Sequence, residues 1–177
     1  MQLGDSLTVA ENVALGREAG LAGAMPWSQM FASRTQRRET VQATAHALQL
    51  CGIADLAEVQ AGALSTGQRR LVELARCLAG DFDILMLDEP SSGLDHRETA
   101  AFAEVLLRVI EERGCGILLV EHDVALVMSI CAYIYVLDFG SLTFEGTPSE
   151  VAASPIVRAA YLGSTDVTSI EAQEATL

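Results

Sequence analysis

The spacing of apolar residues changes character near residue 64. Before it, apolar and polar positions are mixed as in surface helices. Residues 33–53, SRTQRRETVQATAHALQLCGI, carry Val41, Ala45 and Leu48 at helical spacing with Arg and Glu between them. Gly52 fits a helix stop before Ile53. The Gly- and Pro-containing piece GLAGAMPWS, from Gly20, predicts a loop. From Ser65 the pattern sharpens. RRLVELARCLAG places Leu71, Leu74, Ala75 and Leu78 on one helical face, and Gly80 closes it. DILML, from Asp83, is long enough only for a buried strand.

Asp95 with Glu98 has the form of a capping box. The helix it opens carries Phe102, Val105, Leu106, Val109 and Ile110 as an apolar stripe. GILLV (116–120) predicts a second buried strand, DVALVMSICA a helix, YIYVLD a third strand and SLTFE a hairpin strand. Thr147, Pro148 and Glu150 form a cap with Pro at the first helical position, and SPIVRAAYL repeats the Ser-Pro start. Alternation of strand and helix from residue 83 predicts an α/β fold with a mostly parallel sheet covered by helices. Ligands of such sheets sit beyond the carboxyl ends of the strands, here just after Leu87 and just after Val120. The chain divides into a helical subdomain (1–63), a core (64–163) and a polar tail (164–177) expected to be disordered.

Composition narrows the function. Half of the 177 residues are hydrophobic, so a packed core is within reach. The net charge of −13 leaves little for the basic face that a nucleic-acid partner requires. No uncharged run approaches the roughly 20 apolar residues of a membrane-spanning helix, and the N-terminus lacks the pattern of a secretory signal. Cys51, Cys77, Cys115 and Cys131 form no CxxC pair and are expected to be buried free thiols in a reducing cytosol.

Three peptides carry candidate chemistry. ILMLDEP ends a strand in adjacent carboxylates, an arrangement that favours a bound cation. Magnesium suits it: Asp88 would hold the ion, largely through water, and Glu89 would polarise an attacking water. In LSTGQRR, Ser65 and Gly67 stand at a helix start, where backbone amides and the dipole favour an anion, although Ser65 would also serve as an ordinary N-cap. His122 follows the second strand, on the edge of Asp88 and Glu89 if the strands are parallel.

Their order resembles the ABC ATPase family. LSTGQ at 64–68 is similar to its signature motif, with Ser65, Thr66, Gly67 and Gln68 as nucleotide-facing residues. ILMLDE at 84–89 is similar to Walker B, Ser92, Gly93, Leu94 and Asp95 to the D-loop, and His122 to the switch histidine. LTVAENV resembles the segment after the family's Q-loop. Thr66 stands where the family most often has Gly. All 11 basic residues are Arg, so no GxxxxGK[ST] phosphate loop occurs.

The resemblance implies an incomplete ABC-type P-loop NTPase fold with ATP and Mg²⁺ as ligands. It implies a head-to-tail second ABC subunit, the same or different, whose γ-phosphate Ser65 and Gly67 would face. It implies transmembrane permease subunits that hold the chain on the cytoplasmic side of the plasma membrane. Glu89 and His122 would be catalytic on this subunit's own nucleotide. Without the phosphate loop, no useful ATP affinity is expected of the isolated chain. The ending VEHDVALVMSICAYIYVLDFGSLTFEGTPSEVAASPIVRAAYLG resembles branched-chain amino acid importers; urea-type importers and lipopolysaccharide exporters share part of it. The alternatives are a non-catalytic partner that lends its signature loop in trans, and a soluble ABC ATPase of translation or repair. The long insertions or second cassette of the last are not found in the chain.

Overall fold

The computed structural model describes residues 3–21 and 34–158. Most of the loop expected from Gly20, the YLG at 161–163 and the tail from 164 lie outside these residues. The described residues fall into two compact units, one within Met1–Glu121 and one within His122–Leu177.

The first unit opens on a turn that sets α1 (Val9–Leu21). Thr8 and Glu11 cap it reciprocally: the Thr8 amide donates to Glu11 Oε2 at 2.8 Å and the Glu11 amide to Thr8 Oγ1 at 3.1 Å. Asn12, fully buried, ties this turn together. Its Oδ1 accepts from the Gly4 amide, and its Nδ2 donates to the carbonyls of Gly4 and Thr8. A buried amide group satisfied on both ends fixes the local path of the chain instead of penalising it. α1 packs on α2 (Arg34–Leu50) and α3 (Thr66–Leu78). Val9, Val13, Val72, Leu78, Leu106 and Val109 are the unit's most completely buried aliphatics, each worth roughly 1.5–3 kcal/mol of burial.

On α2 the apolar stripe differs in phase from the sequence reading, whereas α3 keeps Leu74, Ala75 and Leu78 inward and the helix after Asp95 keeps Phe102, Val105, Leu106 and Val109 inward. On α2 the buried residues are Thr44, Ala47, Leu48 and Leu50, whereas Val41 is 68 % exposed and Ala45 is exposed. On α3 the stripe is Val72, Leu74, Ala75 and Leu78, with Leu71 half-buried. On α2 the face that turns inward is chosen by neighbouring helices, and a degenerate apolar spacing leaves that choice open.

β1 (Ile84–Asp88) and β2 (Gly116–Val120) pair in parallel, Asp88 opposite Val120, with α4 (His96–Arg113) as the crossover. Gly114, at φ 63°, ends α4 in the left-handed conformation. The two strands are not buried on both faces as expected: Ile84 and Met86 are 67 % and 73 % exposed, and Leu118 and Val120 share their side of the sheet.

In the second unit, α5 (Val124–Ile130) precedes β3 (Ile134–Asp138) and β4 (Ser141–Gly146). β3 does not extend the parallel pair, as the alternation had predicted. It forms a separate antiparallel sheet with β4 through Phe139 (φ 44°) and Gly140 (φ 77°). A two-residue turn with both φ positive matches the twist of a hairpin. α6 (Pro148–Ala153), capped reciprocally by Thr147 and Glu150, and α7 (Pro155–Val157) help close a small core around Ile134, Val151 and Val157. Ser154 precedes Pro155 at the cap position, with no side-chain bond to the helix.

Candidate functional site

α3 begins at a reciprocal capping box. Ser65 Oγ accepts from the Gln68 amide at 3.2 Å and Gln68 Oε1 from the Ser65 amide at 3.0 Å. The capping role of Ser65 is therefore filled, and the first-turn amides of Thr66 and Gly67 remain without intrahelical acceptors, as in any helix start. Arg69 anchors the segment from below: it donates to the Ala61 carbonyl at 3.0 Å and pairs with Asp5 at 2.7 Å.

Asp88 and Glu89 emerge at the carboxyl end of β1, and both are exposed. The Glu89 amide prolongs the ladder by donating to the Val120 carbonyl at 2.8 Å. Glu89 then turns at φ 45°, a left-handed conformation that costs a non-glycine residue about 1–2 kcal/mol. The loop that follows closes on itself: Ser92 donates to the Glu89 carbonyl at 3.1 Å and Leu94 to that of Ser91 at 3.0 Å, with Gly93 at φ 83°. Asp95 caps α4 reciprocally with Glu98.

The two helix starts converge. Arg70 Nη2 on α3 donates to the Ser92 carbonyl at 3.3 Å. A Cβ on Gly67 would stand 2.5 Å from Glu98 Oε1, and one on Gly93 would stand 3.5 Å from the Thr66 methyl. Thr66, Gly67, Ser92, Gly93 and Asp95 thus share one locale, built from backbone close approach. Arg70 and Glu121, whose Oε1 accepts the Ser91 amide at 2.8 Å, were not singled out by the sequence reading. Nothing in a lone Arg on a helix or a Glu after a strand marks either as a contact to this loop. His122 belongs to the second unit.

Asp88 fits a hard cation. Among the described residues its carboxylate has no hydrogen-bond or ion-pair partner, and magnesium takes one or two carboxylates with waters and phosphate oxygens completing its shell. The burial argument for a cation does not hold, because both carboxylates meet solvent. A cavity of about 280 Å³ between α3 and β1 is lined in part by Arg70, Arg76, Glu73 and Asp88. Its balanced charges and small size make it a poor seat for a polyanion.

Of the cysteines, Cys51 and Cys115 are buried as expected, Cys131 is half-buried, and Cys77 is exposed, against expectation. Burial pushes the Cys51 thiol up to about 12 and raises that of Cys131. No helix among the described residues is long and apolar enough to cross a membrane.

Comparison with known proteins gives matches along most of the sequence. Residues 1–92 match a family model described as ABC transporter, and residues 144–167 one described as branched-chain amino acid ATP-binding cassette transporter. A high-affinity branched-chain amino acid transport ATP-binding protein of Pseudomonas aeruginosa is 39 % identical over 75 % of this chain and 52 % of its own length. The counterpart of Escherichia coli K12 is 35 % identical over 89 % of this chain and 62 % of its own. A zinc import ATP-binding protein of Roseobacter denitrificans is 40 % identical over a shorter stretch, 65 % of this chain and 45 % of its own length. Among solved structures, the ADP conformation of MJ1267, an ATP-binding cassette of an ABC transporter, superposes with a TM-score of 0.72 at 26 % identity, covering 90 % of this chain and 64 % of that one. A cbiO1 structure from Clostridium perfringens gives the same TM-score and identity over 97 % of this chain and 63 % of that one. The chain thus spans between 45 % and 64 % of the length of these relatives.

Proposed function

The chain belongs to the ABC transporter family, and from that premise we propose that it forms part of the ATP-hydrolysing subunit of a branched-chain amino acid importer. The observation that carries this reading is the convergence of Thr66 and Gly67 with the Ser92–Asp95 loop, joined by the Arg70 contact to Ser92. One face then presents a helix start and a glycine-bearing turn to the nucleotide of a second subunit. The match at 144–167 supports the amino acid cargo over the zinc cargo of the relative from Roseobacter.

In this reading Asp88 holds the magnesium ion, which when bound neutralises charge on the phosphate oxygens. Glu89, on the adjoining position, accepts a proton from the attacking water. His122 steadies the γ-phosphate. Ser65, Thr66, Gly67 and Gln68, with Ser92, Gly93, Leu94 and Asp95, serve the partner's ATP. The partner is a second ABC subunit, and permease subunits hold the pair at the inner face of the membrane.

The 177 residues hold this face but no Lys. A second reading, in which the chain completes another subunit's site in trans, rests on the same face of Thr66, Gly67, Ser92 and Gly93.

The test uses the 177-residue chain and the same chain preceded by the phosphate-binding portion of a branched-chain relative. The first is expected to release no phosphate from Mg-ATP. The second is expected to hydrolyse it, and Glu89→Gln should keep nucleotide binding while turnover drops at least about 100-fold. Parent-rate turnover in the Glu89→Gln protein refutes the assignment. Stimulation of an intact relative by the 177-residue chain selects the second reading.

A further inference from the structure

The parallel ladder between β1 and β2 ends with Asp88 opposite Val120 and one more bond, from the Glu89 amide to the Val120 carbonyl. There β1 leaves the sheet. Pro90 has no amide to offer. The next donor, the Ser91 amide, turns back toward β2 and meets the Glu121 carboxylate at 2.8 Å. Ser91 is only 8 % exposed, so its amide has little access to water as a substitute acceptor.

The Glu121 side chain therefore stands in for the carbonyl that a continuing ladder would have supplied. It closes a ring of contacts: Val120 carbonyl to Glu89 amide, Glu89 carbonyl to Ser92 amide, Ser91 amide to Glu121. Glu89 lies inside that ring, in a backbone conformation its own side chain disfavours. A residue held against its preference needs its neighbours over-determined. An N–H bond to a carboxylate is stronger than one to a neutral acceptor.

We propose that Glu121 is a positioning residue that, through the Ser91 amide, holds the Glu89 backbone left-handed and so sets where the Glu89 carboxylate leaves the strand end. This rests on the reading of Glu89 as the group that takes the proton from water. It also gives the residue immediately before His122 in the chain a mechanical link to the loop after β1.

The first measurement is amide hydrogen exchange in the 177-residue chain. Glu121→Ala is expected to speed exchange at Glu89, Ser91 and Ser92 together by about tenfold or more. Glu121→Gln, whose amide oxygen accepts the same bond, should stay near the parent. If the Ala chain does not fold, Glu121→Asp withdraws the acceptor by one methylene and should give the same pattern. Faster exchange confined to Ser91, or none, overturns the proposal.

The second measurement is hydrolysis by the chain completed with a relative's phosphate-binding portion. Glu121→Ala should lower kcat about 10- to 100-fold with KM for ATP unchanged, and Glu121→Gln should restore it. Loss of turnover in Glu89→Gln alongside parent kcat in Glu121→Ala overturns the positioning role and leaves the function standing. Parent turnover in Glu89→Gln shows instead that the functional reading has failed, and the exchange result then decides the structural link alone.

Discussion

Gly16 of α1 lies so close to Arg76 of α3 that a Cβ on the glycine would overlap the arginine's carbonyl oxygen and stand 2.8 Å from its carbonyl carbon. The obstacle is helix backbone and cannot swing aside. Gly16→Ala is therefore expected to separate α1 from α3 and cost about 3 kcal/mol or more, at the upper end of overpacking penalties. Urea unfolding should show a lower midpoint at unchanged slope. A midpoint within error of the parent would show that the helices do not approach this closely.

Gly67 gives the opposite case. There the atom in the way is the Glu98 carboxylate, the far end of a flexible side chain. Gly67→Ala should cost no more than about 1 kcal/mol, because Glu98 moves at the expense of its part in the Asp95 cap. The same change places a methyl group on the proposed nucleotide face. In a mixed dimer with an intact relative it should abolish support of the partner's turnover while thermal stability is nearly kept. Full support from the Ala variant would remove Gly67 from that face.

Cys51 supplies a pH signature. Its thiol is pushed up to about 12 from the usual 9.0, chiefly by burial, with Arg108 pulling the other way. The unfolded chain loses this proton near pH 9 and the folded chain only near 12. The stabilisation is thus complete below pH 9 and disappears as pH rises toward 12, by up to about 4 kcal/mol. Stability measured from pH 8 to 11 should fall less steeply in Cys51→Ala than in the parent. Equal slopes would mean that Cys51 is not protected. In the same protein, iodoacetamide at pH 8 should modify Cys77 ahead of buried Cys51, though slowly, because burial of its sulfur raises the Cys77 thiol as well.

Ile84, Met86, Leu118 and Val120 form an apolar patch on the sheet, and Met86 and Leu118 are direct cross-strand partners. A dye that fluoresces on apolar surfaces should bind the 177-residue chain, and the chain should self-associate on sizing chromatography. Placing Met86→Lys and Leu118→Glu together puts an ion pair across the strands. Dye binding should fall several-fold with little change in melting temperature. Undiminished dye signal in the double variant would locate the binding surface elsewhere.

How much of this was legible beforehand depended on the range of the interaction involved. The boxes at Asp95–Glu98 and Thr147–Glu150 were legible because both partners lie within one turn. The equally local Thr8–Glu11 box passed unnoticed, although Thr-x-x-Glu is present. The phase of α2 was misread at Val41 because its neighbours, α1 and α3, lie elsewhere in the chain. The hairpin strand after Gly140 was legible in SLTFE and is present as β4, but alternation alone left β3 in the parallel sheet. For the candidate site, the motif order singled out Asp88, Glu89 and the loop after them. It was silent on Arg70 and Glu121, whose contacts cross 22 and 30 positions.

The seating of α1 on α3 also bears on the order of events during synthesis. α1 is complete once residue 21 has been added, but the helix that receives Gly16 is not complete until residue 78. At about 5–20 residues per second on the ribosome, the first helix waits several seconds for its seat. During that interval Val9 and Val13 have no permanent cover. A chaperone that captures short apolar segments would hold α1 during that interval and lose its hold once α3 has emerged.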